Sequence, residues 1–193
     1  LTYFTFSQNE NVEVQLNTDI VDYARIEPEF KDVDLVFHLA DFSSFWARDH
    51  RWMYEVNVDG THNVVHACLK HQVKKLIHCS SVLAIGSTEY NATLNEEYNP
   101  DWKKFERKAY MFTKHLAEQE VSKGVERGLD AVIANPGIIY GPGDLQRSIS
   151  FFHWSLYSNF KDYYFPGGSS MSDVRDTAHG FLQLAEQGRS GER

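Results

Sequence analysis

Short apolar runs alternate with stretches of helical periodicity along this chain of 193 residues. That alternation is typical of repeated β-α units arranged around a parallel sheet. One run, Leu35 to Ala40, is almost continuously apolar, as expected for a parallel strand that is buried on both faces. The predicted strands are Leu1 to Phe6, Val12 to Leu16, Leu35 to Ala40, Leu76 to Cys79 and Ala131 to Ala134.

Three segments between or after these runs have the periodicity of helices. The first, Tyr54 to His71, places much of its buried face at Val56, Val64, Val65, Ala67 and Cys68. The second, Phe105 to Lys123, is expected to stop at Gly124, and the third spans Arg175 to Gln187. The polar segment from Thr88 to Trp102 is predicted to be a long loop, and such loops are commonly functional.

These elements predict an α/β protein with a Rossmann-like, doubly wound parallel sheet. Residues 1–144 would form this sheet domain, and residues 145–193 a partial substrate lobe that returns to it. The lobe begins with an aromatic-rich stretch that runs from Phe151 to Phe165. Because the chain opens on a strand-like run without Met and stops without an evident last element, we expect truncation at both ends.

Composition narrows the range of functions. Hydrophobic residues make up 42% of the chain, as in ordinary globular proteins, and the net charge of -8 disfavours binding to nucleic acid. No apolar run approaches the ~20 residues that span a bilayer. The two cysteines, Cys68 and Cys79, fit neither a disulfide framework nor a paired metal site, which favours a reducing, cytoplasmic location.

Tyr110 and Lys114 carry the most specific candidate chemistry. They stand four positions apart on the second predicted helix, so their side chains share one face. A phenol titrates near pH ~10 in water, and a close ammonium group favours its ionised form. The spacing therefore predicts that Lys114 lowers the pKa of Tyr110, although a Tyr-Lys pair at this spacing is by itself common.

Two serines strengthen the interpretation of this pair. Ser80 and Ser81 directly follow a predicted strand, and ligands bind at the carboxyl edge of open α/β sheets. A serine hydroxyl at that edge can hydrogen-bond a substrate oxygen while a tyrosine exchanges its proton. The alternative is that these serines only cap the strand or turn.

Several ordered blocks together resemble the extended short-chain dehydrogenase/reductase family, within the NAD-dependent epimerase/dehydratase superfamily. The resemblance is greatest to its dihydroflavonol 4-reductase and 3β-hydroxysteroid dehydrogenase branch, and it covers roughly residues 12 to 193. The blocks are Thr18-Asp19-Ile20, Asp34 to Ala40, Asn57 to Asn63, Lys75 to Ser81 with Gly86, Tyr110 to Lys114, Asn135 to Asp144 and Asp173 to Ala178. Their order is far more specific than any single block.

The resemblance implies a role for each matched residue. Tyr110 would be the general acid/base, Lys114 would bind the ribose hydroxyls of a nicotinamide cofactor, and Ser81, rather than Ser80, would orient the substrate oxygen. Asn57 would support the architecture of the active site. The remaining cofactor contacts would be Asp19 and Ile20 near the adenine, Leu39 and Ala40 beside the pyrophosphate and ribose, and Pro136 beside the carboxamide.

The cofactor implied is NAD or NADP, and the sequence leaves the choice open. Ser7 and Gln8, at the end of the first run, are neither acidic nor basic and so favour neither cofactor. The family's glycine-rich turn, G-x-x-G-x-x-G, does not occur in the chain. We therefore expect the first β-α unit of the cofactor domain to be missing from these residues.

Three functions follow from these observations as hypotheses. The first is hydride transfer between a nicotinamide cofactor and a carbonyl or secondary alcohol, and the second is a nucleotide-sugar epimerase with tightly held NAD. The third is a non-catalytic module that senses cofactor or binds a partner. A small carbonyl, alcohol or sugar substrate is the expected partner, and a homodimer is one possible assembly. No metal site is expected, because His62 and His66 share a helix face without a third ligand.

Overall fold

The computed structural model describes residues 12–13, 15, 18–44, 46–88, 93–142 and 170–193. A three-stranded parallel sheet lies at the centre of this part of the chain, in the order β1-β2-β3. Its strands are β1 (Leu35–His38), β2 (Lys75–Cys79) and β3 (Ala131–Ala134). Three of the five predicted strands are thus confirmed, and so is the α/β class with a parallel, Rossmann-like sheet.

The other two predicted strands lie largely outside the described residues. Leu1 to Phe6 lies outside the described residues, as does the aromatic stretch from Phe151 to Phe165. In the run from Val12 to Leu16, the described residues Val12, Glu13 and Gln15 carry no strand.

Helices follow the predicted segments with shifted ends. A short helix, α1 (Tyr23–Ile26), precedes the sheet, and α2 (His50–Tyr54) runs through a π-helical turn, Glu55–Asp59, into α3 (Gly60–His71). The second predicted helix is α4 (Ala109–Glu126), which begins later than expected because Trp102–Phe105 forms a separate 3-10 turn. The last predicted helix is α5 (Val174–Gln187).

The core lies between the sheet and the helix pair α3 and α4. Side chains alternate across β3, so Ala131 and Ile133 join the core cluster with Val64 and Val121 of these helices. Val132 points the opposite way and lies close to Gly188, which follows α5. Helices therefore cover both faces of the sheet, as the doubly wound class requires.

A second pair of parallel strands was not predicted. β4 (Ile138–Tyr140) pairs with β5 (Met171–Asp173), with Ile138 opposite Met171. Each strand has only three residues, and Met-Ser-Asp has no apolar run to mark it as a strand. In the described part of the chain, no helix combines the length and the apolar character needed to cross a membrane.

Gly124 does not end its helix, contrary to the sequence prediction. α4 continues to Glu126, and the turn after it is made by Gly128, whose φ of 96° suits glycine. A Cβ atom at Gly124 would lie 2.6 Å from Cγ1 of Val65 on α3. The glycine is thus required by close packing between two helices.

Replacing Gly124 with Ala should destabilise the fold. We expect G124A to lower the free energy of unfolding by about 1–3 kcal/mol, because the new methyl group must displace the stiff Val65 side chain. The matched control is G180A in α5, where a Cβ would meet nothing within 4 Å. G180A should raise the free energy of unfolding by up to about 1 kcal/mol through helix propensity. Urea denaturation measures both, and equal stabilities would contradict the packing role.

Two buried histidines stand opposite each other in the sheet. His38 of β1 pairs in register with His78 of β2, and their rings lie 5.1 Å apart. Burial, followed by the charge of Lys114, lowers the pKa of His38 from 6.5 to about 4. Burial also lowers the pKa of His78, whose ring nitrogens have no hydrogen-bond partner among the described residues. Both rings are therefore neutral in the folded protein at neutral pH.

The free energy of unfolding should fall as the pH drops from about 6.5 towards 4. In that window the unfolded chain takes up protons at these histidines while the folded chain does not. The free energy of unfolding therefore falls by about 1.4 kcal/mol per pH unit for each histidine. H38N should remove about one histidine's share of this slope, whereas H179N, at an exposed position, should leave it unchanged. Urea denaturation at several pH values gives the slopes, and equal slopes for H38N and the parent protein would disprove the assignment.

Candidate active site

Helix α4 presents Tyr110 and Lys114 towards the carboxyl edge of the sheet. Lys114 is only 2% exposed, and its Nζ donates a hydrogen bond of 2.8 Å to the carbonyl oxygen of Cys79 at the end of β2. A buried ammonium group needs such partners because losing its hydration is costly. The predicted spacing therefore places this cation beside the strand ends.

Tyr110 is paired with a carboxylate that sequence reasoning did not identify. Its hydroxyl donates a hydrogen bond of 3.0 Å to Oδ2 of Asp41, which lies just beyond β1. The other carboxylate oxygen, Oδ1, lies 3.6 Å from Nζ of Lys114. Asp41 thus bridges the two residues of α4.

The predicted lowering of the pKa of Tyr110 by Lys114 is wrong for this arrangement. Burial raises the pKa of Tyr110, and the charge and hydrogen bond of Asp41 raise it further. Tyr110 and Lys114 share a helix face as predicted. The carboxylate of Asp41, however, contacts the Tyr110 phenol and forms an ion pair with the Lys114 ammonium group. Tyr110 is consequently a protonated phenol at neutral pH.

Ser81 lies next to Tyr110, and Ser80 does not have a comparable position. The hydrogen bond of the Ser81 side chain lowers the pKa of Tyr110 and so opposes the effect of Asp41 in part. Ser81 also caps the 3-10 turn Val82–Ile85, where its Oγ accepts a hydrogen bond from the Leu83 amide at 3.2 Å. The hydroxyl of Ser80 is buried and donates to Oε1 of Glu118. The structure therefore brings together the side chains of Ser81, Tyr110 and Lys114.

Asn57 connects the loop after β1 to α4. It lies in the π-helical turn, is 2% exposed, and exchanges two hydrogen bonds of 2.8 and 2.9 Å with the backbone of Phe42. Its amide also donates to Oγ1 of Thr113 at 3.2 Å, and Thr113 donates in turn to the carbonyl oxygen of Tyr110. Since Phe42 follows Asp41, Asn57 fixes the carboxylate relative to the phenol.

Leu39 and Ala40 lie on open surface at the carboxyl end of β1. Leu39 is 59% exposed, although it directly follows β1 of the central sheet. Ala40 is also exposed, and the next residue is the bridging Asp41. An exposed apolar strand end beside a buried cation can accommodate a flat, partly polar ligand.

Asp19 and Ile20 pack against the start of α3. The carboxylate of Asp19 accepts a hydrogen bond from the Val21 amide at 3.0 Å, and Asn63 donates to the carbonyl oxygen of Ile20 at 2.9 Å. A Cβ atom at Gly60 would lie 2.4 Å from Cδ1 of Ile20, so a larger residue there would displace the Ile20 side chain. Asn63 and Gly60 thus hold the segment that contains both predicted residues.

Pro136 follows β3 and lies close to the strand end that carries Ser81. Its carbonyl oxygen accepts a hydrogen bond of 3.0 Å from the Val82 amide. All three central strands are parallel, so Pro136, Ser81 and Ala40 lie at the same edge of the sheet.

A cavity of about 440 Å³ opens beside Tyr110. Apolar and cationic side chains contribute to its wall, and two serines from the loop after β1 complete it. The lining residues are Ser43, Ser44, His50, Leu83, Arg107, Lys108, Ala109, Tyr110 and Met111. Tyr110 thus lines a space that a small organic molecule could occupy.

Sequence reasoning missed a second buried charge network. Glu118, one turn beyond Lys114, accepts hydrogen bonds from Ser80 and Asn135 and forms an ion pair with Arg193 at 2.9 Å. Its position four residues after Lys114 on the same helix face is the only sequence signal for it. Among residues whose side chains are described, no cluster of His, Cys, Asp and Glu could hold a metal ion.

The chain matches the model of the 3-beta hydroxysteroid dehydrogenase/isomerase family over residues 4–164. A curated relative from Synechocystis sp., provisionally named dihydroflavonol 4-reductase, is 31% identical over 159 residues. This alignment covers 80% of the chain and 45% of the relative.

Solved structures agree with this relationship. The crystal structure of gox2253 is 31% identical with a TM-score of 0.79, and the match covers 90% of this chain and 53% of that one. The structure of RMD from Pseudomonas aeruginosa complexed with NADPH shares the fold at 20% identity, with a TM-score of 0.75 over 94% of this chain and 66% of that one. The chain thus spans about half the length of the first two relatives. It belongs to the 3-beta hydroxysteroid dehydrogenase/isomerase family of extended short-chain dehydrogenases/reductases.

Proposed function

We propose that the protein containing this chain is an NAD(P)-dependent oxidoreductase that resembles dihydroflavonol 4-reductase. It would transfer a hydride between a nicotinamide cofactor and a carbonyl or secondary alcohol. Family membership supports the reaction class, and the observation that carries the proposal is the meeting of Ser81, Tyr110 and Lys114 at one sheet edge.

In the proposed reduction, Tyr110 supplies the proton. Its phenol is protonated at neutral pH, and Tyr110 lines the cavity in which a carbonyl substrate would bind. Ser81 would donate a hydrogen bond to the same oxygen, and this bond would strengthen as negative charge develops there. The carbonyl carbon gains a hydride and its oxygen gains the proton of Tyr110, so the product is an alcohol.

NAD or NADP, when bound, would supply or accept that hydride at the carboxyl edge of the sheet. Lys114 would hold the ribose hydroxyls, since its buried Nζ keeps donor capacity beyond the bond to Cys79. Leu39 and Ala40 would line the ribose and pyrophosphate, and Asp19 and Ile20 the adenine end. Pro136 would lie beside the carboxamide.

The choice between reductase and epimerase can be tested on the intact protein. An epimerase of this family would retain NAD and release it on denaturation, whereas a reductase exchanges its cofactor with solution. We expect exchangeable cofactor and carbonyl-dependent oxidation of NADH or NADPH. Tightly held NAD without net oxidation would favour the epimerase, and no turnover with a panel of carbonyl compounds would favour a binding module.

Removing the phenol hydroxyl should abolish proton transfer but retain cofactor binding. We expect Y110F to lower kcat for carbonyl reduction by about 10²–10⁴-fold, because the substrate oxygen loses its general acid. The Kd for NAD(P)H, measured by fluorescence titration, should change by less than about threefold. The matched control is Y54F, at a tyrosine that is 44% exposed on α2, and it should keep full activity. Equal kcat values for Y110F and Y54F would refute the proposed acid.

A further inference from the structure

Asp41 is the feature of this site that the proposed reaction leaves without a role. Its carboxylate contacts both α4 residues of the site, with Oδ2 at 3.0 Å from the Tyr110 hydroxyl and Oδ1 at 3.6 Å from Nζ of Lys114. The contact with Tyr110 joins residues that are 69 positions apart in sequence. A carboxylate at this place has consequences for both partners.

We propose that Asp41 is a positioning residue that holds Tyr110 in its proton-donating form and serves as the counter-ion of the buried Lys114. This role rests on the proposed function only for its effect on turnover. Its effect on the phenol itself is independent of catalysis.

The charge of Asp41 sets the direction of its hydrogen bond with Tyr110. An ionised carboxylate can only accept, so the Tyr110 hydroxyl must donate to it. Ionising the phenol would break this bond and place two negative oxygens about 3 Å apart. Asp41 therefore stabilises the neutral phenol and raises the pKa of Tyr110, in addition to the larger effect of burial.

Asp41 is also the counter-ion of Lys114. Lys114 is 2% exposed, and its side chain has Asp41 as its carboxylate partner among the described residues. The carbonyl oxygen of Cys79 supplies a dipole but no charge. Asp41 is 28% exposed at its side chain, so it keeps some hydration while compensating a charge that has almost none.

Asp41 is fixed in place through its neighbour Phe42. Asn57 exchanges two hydrogen bonds with Phe42, the next residue, and connects it through Thr113 to the turn of α4 that carries Tyr110. The buried side chain of Asn57 thereby holds both Asp41 and Tyr110, the two partners in this hydrogen bond.

Other charged or titratable groups near Tyr110 do not compensate this carboxylate. The thiol of Cys79 has a pKa raised by burial, so it is neutral at pH 7. His50, Arg107 and Lys108 line the cavity beside Tyr110, and Ser81 lowers the pKa of Tyr110 only by its hydrogen bond. Removing the charge of Asp41 should therefore change the titration of the phenol directly.

The test is an NMR titration of the protein labelled with ¹³Cζ-tyrosine, with Y110F used to assign the Tyr110 signal. In the parent protein, Tyr110 should stay a phenol beyond the pH ~10 at which an ordinary tyrosine ionises. In D41N it should ionise at a pH at least one unit lower than in the parent protein, a tenfold or greater loss of proton affinity. The matched control is D34N, which removes a carboxylate at the opposite end of β1, paired with the exposed Lys74, and should leave the titration unchanged.

Two results would overturn the proposal. One is a parent protein in which Tyr110 ionises at or below pH ~10, and the other is a Tyr110 titration that is the same in D41N and the parent protein. If D41N does not fold, a parent titration at or below pH ~10 still overturns the proposal, and D41E, which keeps the charge, should retain the high pKa.

Turnover gives an independent measurement. Carbonyl reduction needs the protonated phenol, so its kcat/KM should fall at a lower pH in D41N than in the parent protein, while D34N follows the parent. A shifted NMR titration without measurable reduction would disprove the proposed function and leave the role of Asp41 intact. A shifted pH profile with an unchanged titration would disprove the role of Asp41.

Discussion

The side-chain amide of Asn57 is the interaction on which the geometry of the site depends. It is buried where the loop after β1, the π-helical turn and α4 meet, and all its described hydrogen bonds cross between these elements. Replacing such an amide by an apolar group would leave the backbone of Phe42 unpaired, and buried unpaired groups are costly. Asn57 therefore determines the positions of both Asp41 and Tyr110, although these two residues come from distant parts of the sequence.

The charged groups of the site lie at different depths in the protein. The buried Lys114 lies innermost and lowers the pKa of His38 and His78 through its charge, after the larger effect of burial. Asp41 lies outward of it, and the phenol lies against Asp41. The parallel sheet makes this arrangement possible, because it brings three strand ends to one edge, where Lys114 of α4 contacts the end of β2.

Much of the fold was predictable because its signals are local. The apolar runs of β1, β2 and β3 and the periodicity of α3 and α4 are visible in the sequence, and the structure confirms them. β4 and β5 were missed because two three-residue strands are stabilised by each other and not by their own composition. Gly124 was misread as a helix end because its constraint comes from Val65 on another helix.

The site shows the same division between local and distant information. The shared face of Tyr110 and Lys114 follows from helix geometry, and Ser81 follows from its place after a strand. The direction in which the pKa of Tyr110 shifts could not be predicted, because it depends first on burial and then on an aspartate that no spacing rule connects to the helix. Glu118 was missed for a similar reason, since its partners Asn135 and Arg193 come from later parts of the chain.

The π-helical turn at Glu55–Asp59 limits how this region can change in sequence. Such a turn holds one residue more than the α-helix around it, and it is frequently found at functional sites. Losing that residue would restore a regular helix and keep the direction of the flanking helices, but it would move the side chains of the turn itself. Asn57 lies within the turn and bonds both Phe42 and Thr113, so the length of this segment should be under stronger selection than the identity of its exposed residues.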